Sequence, residues 1–187
     1  MTLPASFFAR DAETVAKQLL GATLVHGDAL CRITETEAYV GPHDLACHAR
    51  VGVTPRTRVL YGPPGRAYVY LCYGIHHLLN VVTGDEGDAQ AVLIRAAEPI
   101  AGIDDRTDGP GRLTQTLGIR VEDHNDTPMD GDLRFEAGNA PRRVVATPRI
   151  GVDSAGHWAA APLRFLDADS RHVTPTPKTH REAGVSC

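Results

Sequence analysis

The sequence predicts an α+β fold: a single domain built on a curved, mostly antiparallel β-sheet, flanked by a few helices and carrying a protruding β-hairpin. Three observations lead there. Short runs of strand formers outnumber helical stretches, the two do not alternate as a doubly wound sheet requires, and the connections are rich in glycine and proline. A chain of 187 residues, 42% hydrophobic and 22% charged, has the size and composition of one globular domain.

In chain order, Asp11 is placed to cap a helix over 12–20, with Val15, Leu19 and Leu20 as its apolar stripe and Gly21 at its end. Apolar or alternating runs then mark strands at 23–25, 30–39, 67–73, 78–83 and 91–96. Pro110 in a first turn and Gly118 after a last one bracket a second helix over 110–117. Two further strands are expected at 143–146 and 163–166. Residues 1–173 form the expected domain, and 174–187, which lack an apolar pattern, the expected disordered tail.

Within 30–39, period-2 alternation puts Ile33, Glu35, Glu37 and Tyr39 on one face, so two carboxylates and an aromatic share a surface. A solvated strand face is the plain alternative. The surroundings argue for more. All five tyrosines (Tyr39, Tyr61, Tyr68, Tyr70, Tyr73) fall between 39 and 73. From Leu45 to Gly84 there is no Asp or Glu, while Arg50, Arg56, Arg58 and Arg66 lie there with His48, His76 and His77. Interleaved rings and guanidinium groups suit stacked bases and phosphates, although tyrosine-rich strands also build ordinary cores.

The net charge of −4 does not itself announce a nucleic-acid partner. The acids cluster near 85–88, 104–108 and 122–132, which suggests a face turned away from any polyanion. Alternation in 67–73 puts Tyr68, Tyr70 and Cys72 on one face and Val69, Leu71 and Tyr73 on the other. One of Tyr70 and Tyr73 can therefore line a pocket while the other, at a hairpin tip marked by Gly74, projects into a base stack. Asn80 and Arg95 are polar residues in apolar runs, and burial there demands hydrogen-bond partners.

Cys31, Cys47, Cys72 and Cys187 form no C-x-x-C pair, so the first three are expected to be buried thiols in a reducing compartment. No run reaches the length of a membrane span and the first residues lack a signal-peptide pattern, so a cytoplasmic protein with no membrane contact is expected, nucleoid-associated if bacterial.

Five ordered segments, ETEAYVGPHDLACHAR, TPRTRVLYGPPGRAYVYLCYGIHHLLNVVT, AVLIRAAEP, GPGRL and RIGVDSAGHWAAAPLRF, together resemble the alkyladenine (3-methyladenine) DNA glycosylase family over nearly all of the chain except the tail. The resemblance implies that Glu37 activates the attacking water and that Tyr39, His48 and Tyr70 enclose an extruded base. It further implies that Tyr73 is the intercalating wedge, that Asn80 crowds the purine 2-position, and that Arg95 supports the pocket. Arg50, Arg56, Arg58 and Arg66 are the candidate phosphate contacts. The departures are His76 and His77 after the wedge turn, where an aromatic also occurs, and Cys47, where a serine also occurs.

The expected activity is excision of alkylated or deaminated purines from double-stranded DNA by a monomer without cofactor or metal. The lysines are Lys17 and Lys178, neither within these segments, so hydrolysis without a Schiff-base lyase step is expected. A zinc deaminase would need H-x-E followed by P-C-x-x-C, and a phosphate-binding loop G-x-x-x-x-G-K-[ST]; neither signature is present. GPGR at 109–112 is instead a helix entry that suits a phosphate. The alternative function is a non-enzymatic damaged-DNA-binding module, for which Glu37 would be a liability beside phosphates.

Overall fold

The computed structural model describes residues 1–175. Among these, strands β1 (Thr23–His26), β2 (Ala29–Tyr39), β3 (Ala67–Cys72), β4 (His76–Thr83), β5 (Gln90–Ala101) and β6 (Leu133–Glu136) lie in the order β3-β4-β5-β2-β1-β6. Strand β7 (Val144–Thr147) pairs with β8 (Arg164–Asp167), which joins β2, and every pairing is antiparallel. Strand β2 is long enough to hold β5 along one edge while its other edge is divided between β1 and β8. That division curls the sheet. The expected α+β domain with an antiparallel curved sheet is thus the observed one.

Helix α1 is a single turn (Ala5–Phe8), and α2 (Ala12–Leu19) is capped as expected, Asp11 Oδ1 accepting the Thr14 N–H at 2.8 Å. Gly21 follows at φ 86°, where a Cβ would lie 2.0 Å from the Asn139 carbonyl oxygen, so only glycine fits. Helix α3 (Pro110–Leu117) begins on proline and closes with Gly118 at φ 67°, whose N–H reaches Gln115 O while Ile119 N–H reaches Thr114 O. The short α4 (Val121–His124) and strand β6 were not expected. Both lie in the acid-rich stretch, although Leu133 and Phe135 alternate with Arg134 and Glu136 and are buried.

Two apolar clusters sit on opposite faces of the β3-β4-β5 strands. Val69, Leu79, Val81, Val92 and Ile94 belong to the main core with α2 residues Val15, Ala16 and Leu19. Tyr68, Val82 and Ala91 belong to a second cluster with Cys47, Val59 and Leu60, against which Tyr39 and Tyr70 pack. The alternation expected for 67–73 is therefore present over Tyr68–Tyr70, whereas Leu71, Cys72 and Tyr73 all border one cavity. In β2 it is interrupted: the register with β5 shifts between Ile33 and Thr36, and Ile33 joins the main core while Glu35 and Glu37 meet Arg95 elsewhere. The register slips by one residue between Ile33 and Glu35 and slips back before Thr36, and Ile33 does not share the carboxylates' face.

No described helix is long and apolar enough to cross a membrane. Burial pushes the Cys31 thiol up to about 12 and Cys47 to about 11, while Cys72 is only half-buried. Cys187, Lys178 and most of the expected tail lie outside the described residues.

Candidate active site

Cross-strand pairing builds the site as a row. Tyr68 faces Asn80, Asn80 faces Leu93, Leu93 faces Glu37, and Glu37 faces Arg164, so one line of side chains crosses β3, β4, β5, β2 and β8. Over this face lies a cavity of about 780 Å³, within the size range of small-ligand pockets. Tyr39, His48, Tyr70, Asn80, Arg95, Tyr73 and Arg56 all line it.

The rings are held by one another. His48 and Tyr70 meet edge-on with centroids 4.6 Å apart, and His48 Nδ1 lies 2.9 Å from the Tyr68 hydroxyl. Burial, reinforced by Arg56 and Arg50, lowers His48 from 6.5 to about 4, so the imidazole is neutral at neutral pH and does not repel a cationic ligand. Burial likewise raises the Tyr39 and Tyr70 hydroxyls, which stay protonated. Asn80 Nδ2 donates to Tyr68 O at 3.0 Å, and that bond meets the hydrogen-bonding demand of burying the amide.

Glu37 has no exposed surface. Its Oε2 accepts the Tyr39 O–H at 2.8 Å, its Oε1 accepts the Ile150 N–H at 2.8 Å, and Arg95 Nη1 lies 3.3 Å from Oε1. All three of these neighbours line the cavity, so the carboxylate stands one side chain behind its wall. Arg95 also approaches Glu35, its Nε 3.3 Å from Oε1 but outside hydrogen-bond geometry. Burial disfavours charge on Arg95, yet Glu37 and Glu35 outweigh it and raise its pKa. Arg164 completes the network, donating to Glu35 Oε1 at 2.9 Å and to Thr147 Oγ1 at 2.8 Å.

Tyr39 is buttressed by a pair that sequence reading missed. Arg149 and Asp44, both fully buried, bond through two contacts at 2.5 and 2.9 Å. Arg149 also donates to Ala38 O at 2.9 Å, and its guanidinium lies 4.8 Å from the Tyr39 ring centroid.

At the other rim, β3 and β4 form the expected hairpin. Tyr73, at φ 50°, and Gly74, at φ 69°, occupy a turn closed by Ile75 N–H to Cys72 O. Tyr73 is 89% exposed and Ile75 71% exposed, so the tip carries bare apolar surface. The exposed Ile75 was also not anticipated.

Comparison with known proteins identifies the chain. The methylpurine-DNA glycosylase family matches residues 6–171. The chain belongs to that family. Relatives named provisionally as 3-methyladenine DNA glycosylases include one from Anaeromyxobacter dehalogenans (strain 2CP-C), 54% identical over 95% of this chain and 89% of its own length. Another from Myxococcus xanthus (strain DK1622) is 51% identical over 96% of each, and one from Legionella pneumophila (strain Corby) is 47% identical over 93% and 98%. The protein is thus a monofunctional DNA glycosylase, a hydrolase of base-excision repair.

The glycosylase's four candidate arginines separate. Arg56 stands over the Tyr70 ring, 5.2 Å from its centroid. Arg50 and Arg58 are exposed on neighbouring 3₁₀ turns and do not line the cavity. Arg66 lies at a separate small cleft, its Nε bonded to Asp126 Oδ1 at 2.6 Å. The acids are not all turned away: Asp108 lines the cavity, held by Arg106 and Arg112, because α3 carries its own N-terminal loop to the rim. Gly111 packs there against His76, whose ring a Cβ would meet at 3.0 Å. Lys17 pairs with Glu13 on α2, outside the cavity lining.

Proposed function

We propose that this glycosylase extrudes an alkylated, 3-methyladenine-like purine or a deaminated purine from duplex DNA and hydrolyses its N-glycosidic bond with a water activated by Glu37. The observation that carries the reading is a buried carboxylate placed directly behind an aromatic wall, beneath an exposed hairpin tip.

Extrusion costs a few kcal/mol, and an apolar side chain entering the vacated stack offsets part of that cost. Tyr73, bare at the tip of the turn, is that wedge. The purine then lies against Tyr39, His48 and Tyr70. A cationic base gains ~0.5–2 kcal/mol of cation–π attraction that a normal base lacks, and the neutral His48 preserves it. Asn80, fixed through Tyr68 O, crowds the purine 2-position and disfavours guanine.

In the chemical step a water oxygen forms a bond to C1′ while the C1′–N bond breaks and its electron pair leaves with the purine. Glu37 takes the water proton and stabilises positive charge developing on the sugar. Arg95, shared between Glu35 and Glu37, orients the carboxylate. Sugar phosphates flanking the lesion meet Arg56, with Arg50 and Arg58 on the adjoining turns.

The test is incubation with duplexes carrying 3-methyladenine or hypoxanthine, followed by mass spectrometry of free base and a gel before and after alkali. Free modified base, with strand breaks only after alkali, is expected. No base released from either lesion refutes the substrate class, and breaks without alkali refute simple hydrolysis.

A further inference from the structure

The family match stops at Arg171, yet the residues that follow it reach the active-site network. Thr34 Oγ1–H donates to the His172 carbonyl, and the Thr174 backbone N–H donates to Glu35 Oε2 at 2.5 Å. Thr174 and Pro175 line the base cavity. A segment just past the family-model match therefore forms part of the wall and holds one of the two buried carboxylates.

We propose that residues 172–175 are a positioning clamp for excision, acting through the Thr174 amide on Glu35 and thereby on the Arg95–Glu37 pair. The proposal rests on the reading of Glu37 as the base.

Geometry supplies the mechanism. Glu35 is fully buried, and its two oxygens are committed to different partners: Oε1 to Arg164 and Oε2 to the Thr174 amide. Held so, Glu35 stands 3.3 Å from Arg95 Nε without a hydrogen bond, and Nε is a buried donor with no hydrogen-bond partner among the described residues. Arg95 Nη1 is equally far, 3.3 Å, from Glu37 Oε1. The guanidinium is thus balanced between the carboxylates. Without the Thr174 N–H, Glu35 Oε2 becomes a buried acceptor lacking a donor, a costly state, and Arg95 Nε is an unused donor 3.3 Å from the same carboxylate's Oε1. Glu35 turns to it and draws Arg95 from Glu37, loosening both the base and a cavity-lining side chain. The anchor at Thr34 keeps the segment in place and lies outside the cavity lining.

Full-length Thr174→Pro, Thr174→Ala and Thr34→Val, with Glu37→Gln alongside, test the clamp by single-turnover excision, affinity for a duplex carrying a tetrahydrofuran abasic analogue, and urea midpoint. Proline removes the amide proton and alanine keeps it. Thr174→Pro is expected to excise at least about tenfold more slowly than Thr174→Ala, a barrier difference of ~1.4 kcal/mol. Thr34→Val, which needs no proline in the segment, is expected to slow excision by a smaller factor with affinity kept within about threefold. Equal rates for the proline and alanine variants with Glu37→Gln inactive would overturn the clamp alone. So would rate, affinity and urea midpoint falling together in Thr34→Val. An active Glu37→Gln would overturn the reading on which it rests.

Discussion

Replacing Asp44 by asparagine removes the negative partner of a guanidinium that has no contact with solvent. Asp44 and Arg149 are both fully buried and meet through two bonds, at 2.5 and 2.9 Å. Burial opposes charge on Arg149, and it is chiefly Asp44 that reverses this and raises its pKa. Breaking such a pair from one side costs ~3–5 kcal/mol, because the remaining charge keeps its desolvation penalty. Asparagine retains one acceptor for Arg149 but turns an N–H₂ against the other guanidinium nitrogen, so little of that cost is recovered. For a domain of this length each kcal/mol shifts the melting midpoint by roughly 2–4 °C, giving a fall of about 6–20 °C. Urea unfolding at unchanged m-value is the assay. Arg149→Met in the same chain should recover most of the loss, since it removes the stranded charge. A loss below ~1 kcal/mol in Asp44→Asn, the range of a surface pair, would refute the reasoning.

Tyr73→Ala should change stability by no more than ~0.5 kcal/mol, since the side chain is 89% exposed. It should nevertheless slow excision from duplex by roughly 5- to 150-fold, the equivalent of ~1–3 kcal/mol of lost stacking, with a smaller effect on single strands. Arg56→Ala should reduce the salt slope of DNA binding by about 1, whereas Arg66→Ala, whose donor is already committed to Asp126, should leave it unchanged. Equal slopes in filter-binding titrations of the two would contradict the division. For His48 the folded pKa is lowered, from 6.5 to about 4. The unfolded chain therefore binds more protons in that window, and the stability contributed by neutral His48 is complete above 6.5 and lost as pH falls toward 4. Urea midpoints should drop more between pH 7 and pH 4.5 in the parent than in His48→Asn.

Much of the fold was legible because its signals are local. Asp11, Gly21, Pro110 and Gly118 mark helix ends through their own side chains or backbone freedom, and apolar runs located β1 to β4, β7 and β8 closely, while β5 runs past its expected end to Ala101. The side-chain face in β2 failed at Ile33 because a one-residue register slip is decided by pairing with β5, which no count along the strand reveals. Within the site, Glu37, Tyr39, His48, Tyr70, Asn80 and Arg95 converge as their motif order suggested. Their supports were missed even though Asp44 and Arg149 lie within two of the quoted segments. Arg149 is 105 residues from Asp44, and Thr174 is 139 residues from Glu35, so neither contact has a sequence signature. Arg66 shows the reverse: a basic residue in an acid-free window whose partner, Asp126, comes from 60 residues away.

The most direct test of the central claim is single-turnover excision of hypoxanthine from a duplex by the wild type and by Glu37→Gln, each saturating the same DNA. The substitution keeps one acceptor oxygen for the Ile150 N–H and sets an N–H₂ against the Tyr39 hydroxyl, which can accept from it, while removing the charge. Retained binding with base release reduced by at least about a thousandfold, ~4 kcal/mol of barrier, is the expected result. Release by Glu37→Gln within about tenfold of the wild type would contradict a water-activating role for Glu37 and move the chemistry elsewhere in the cavity.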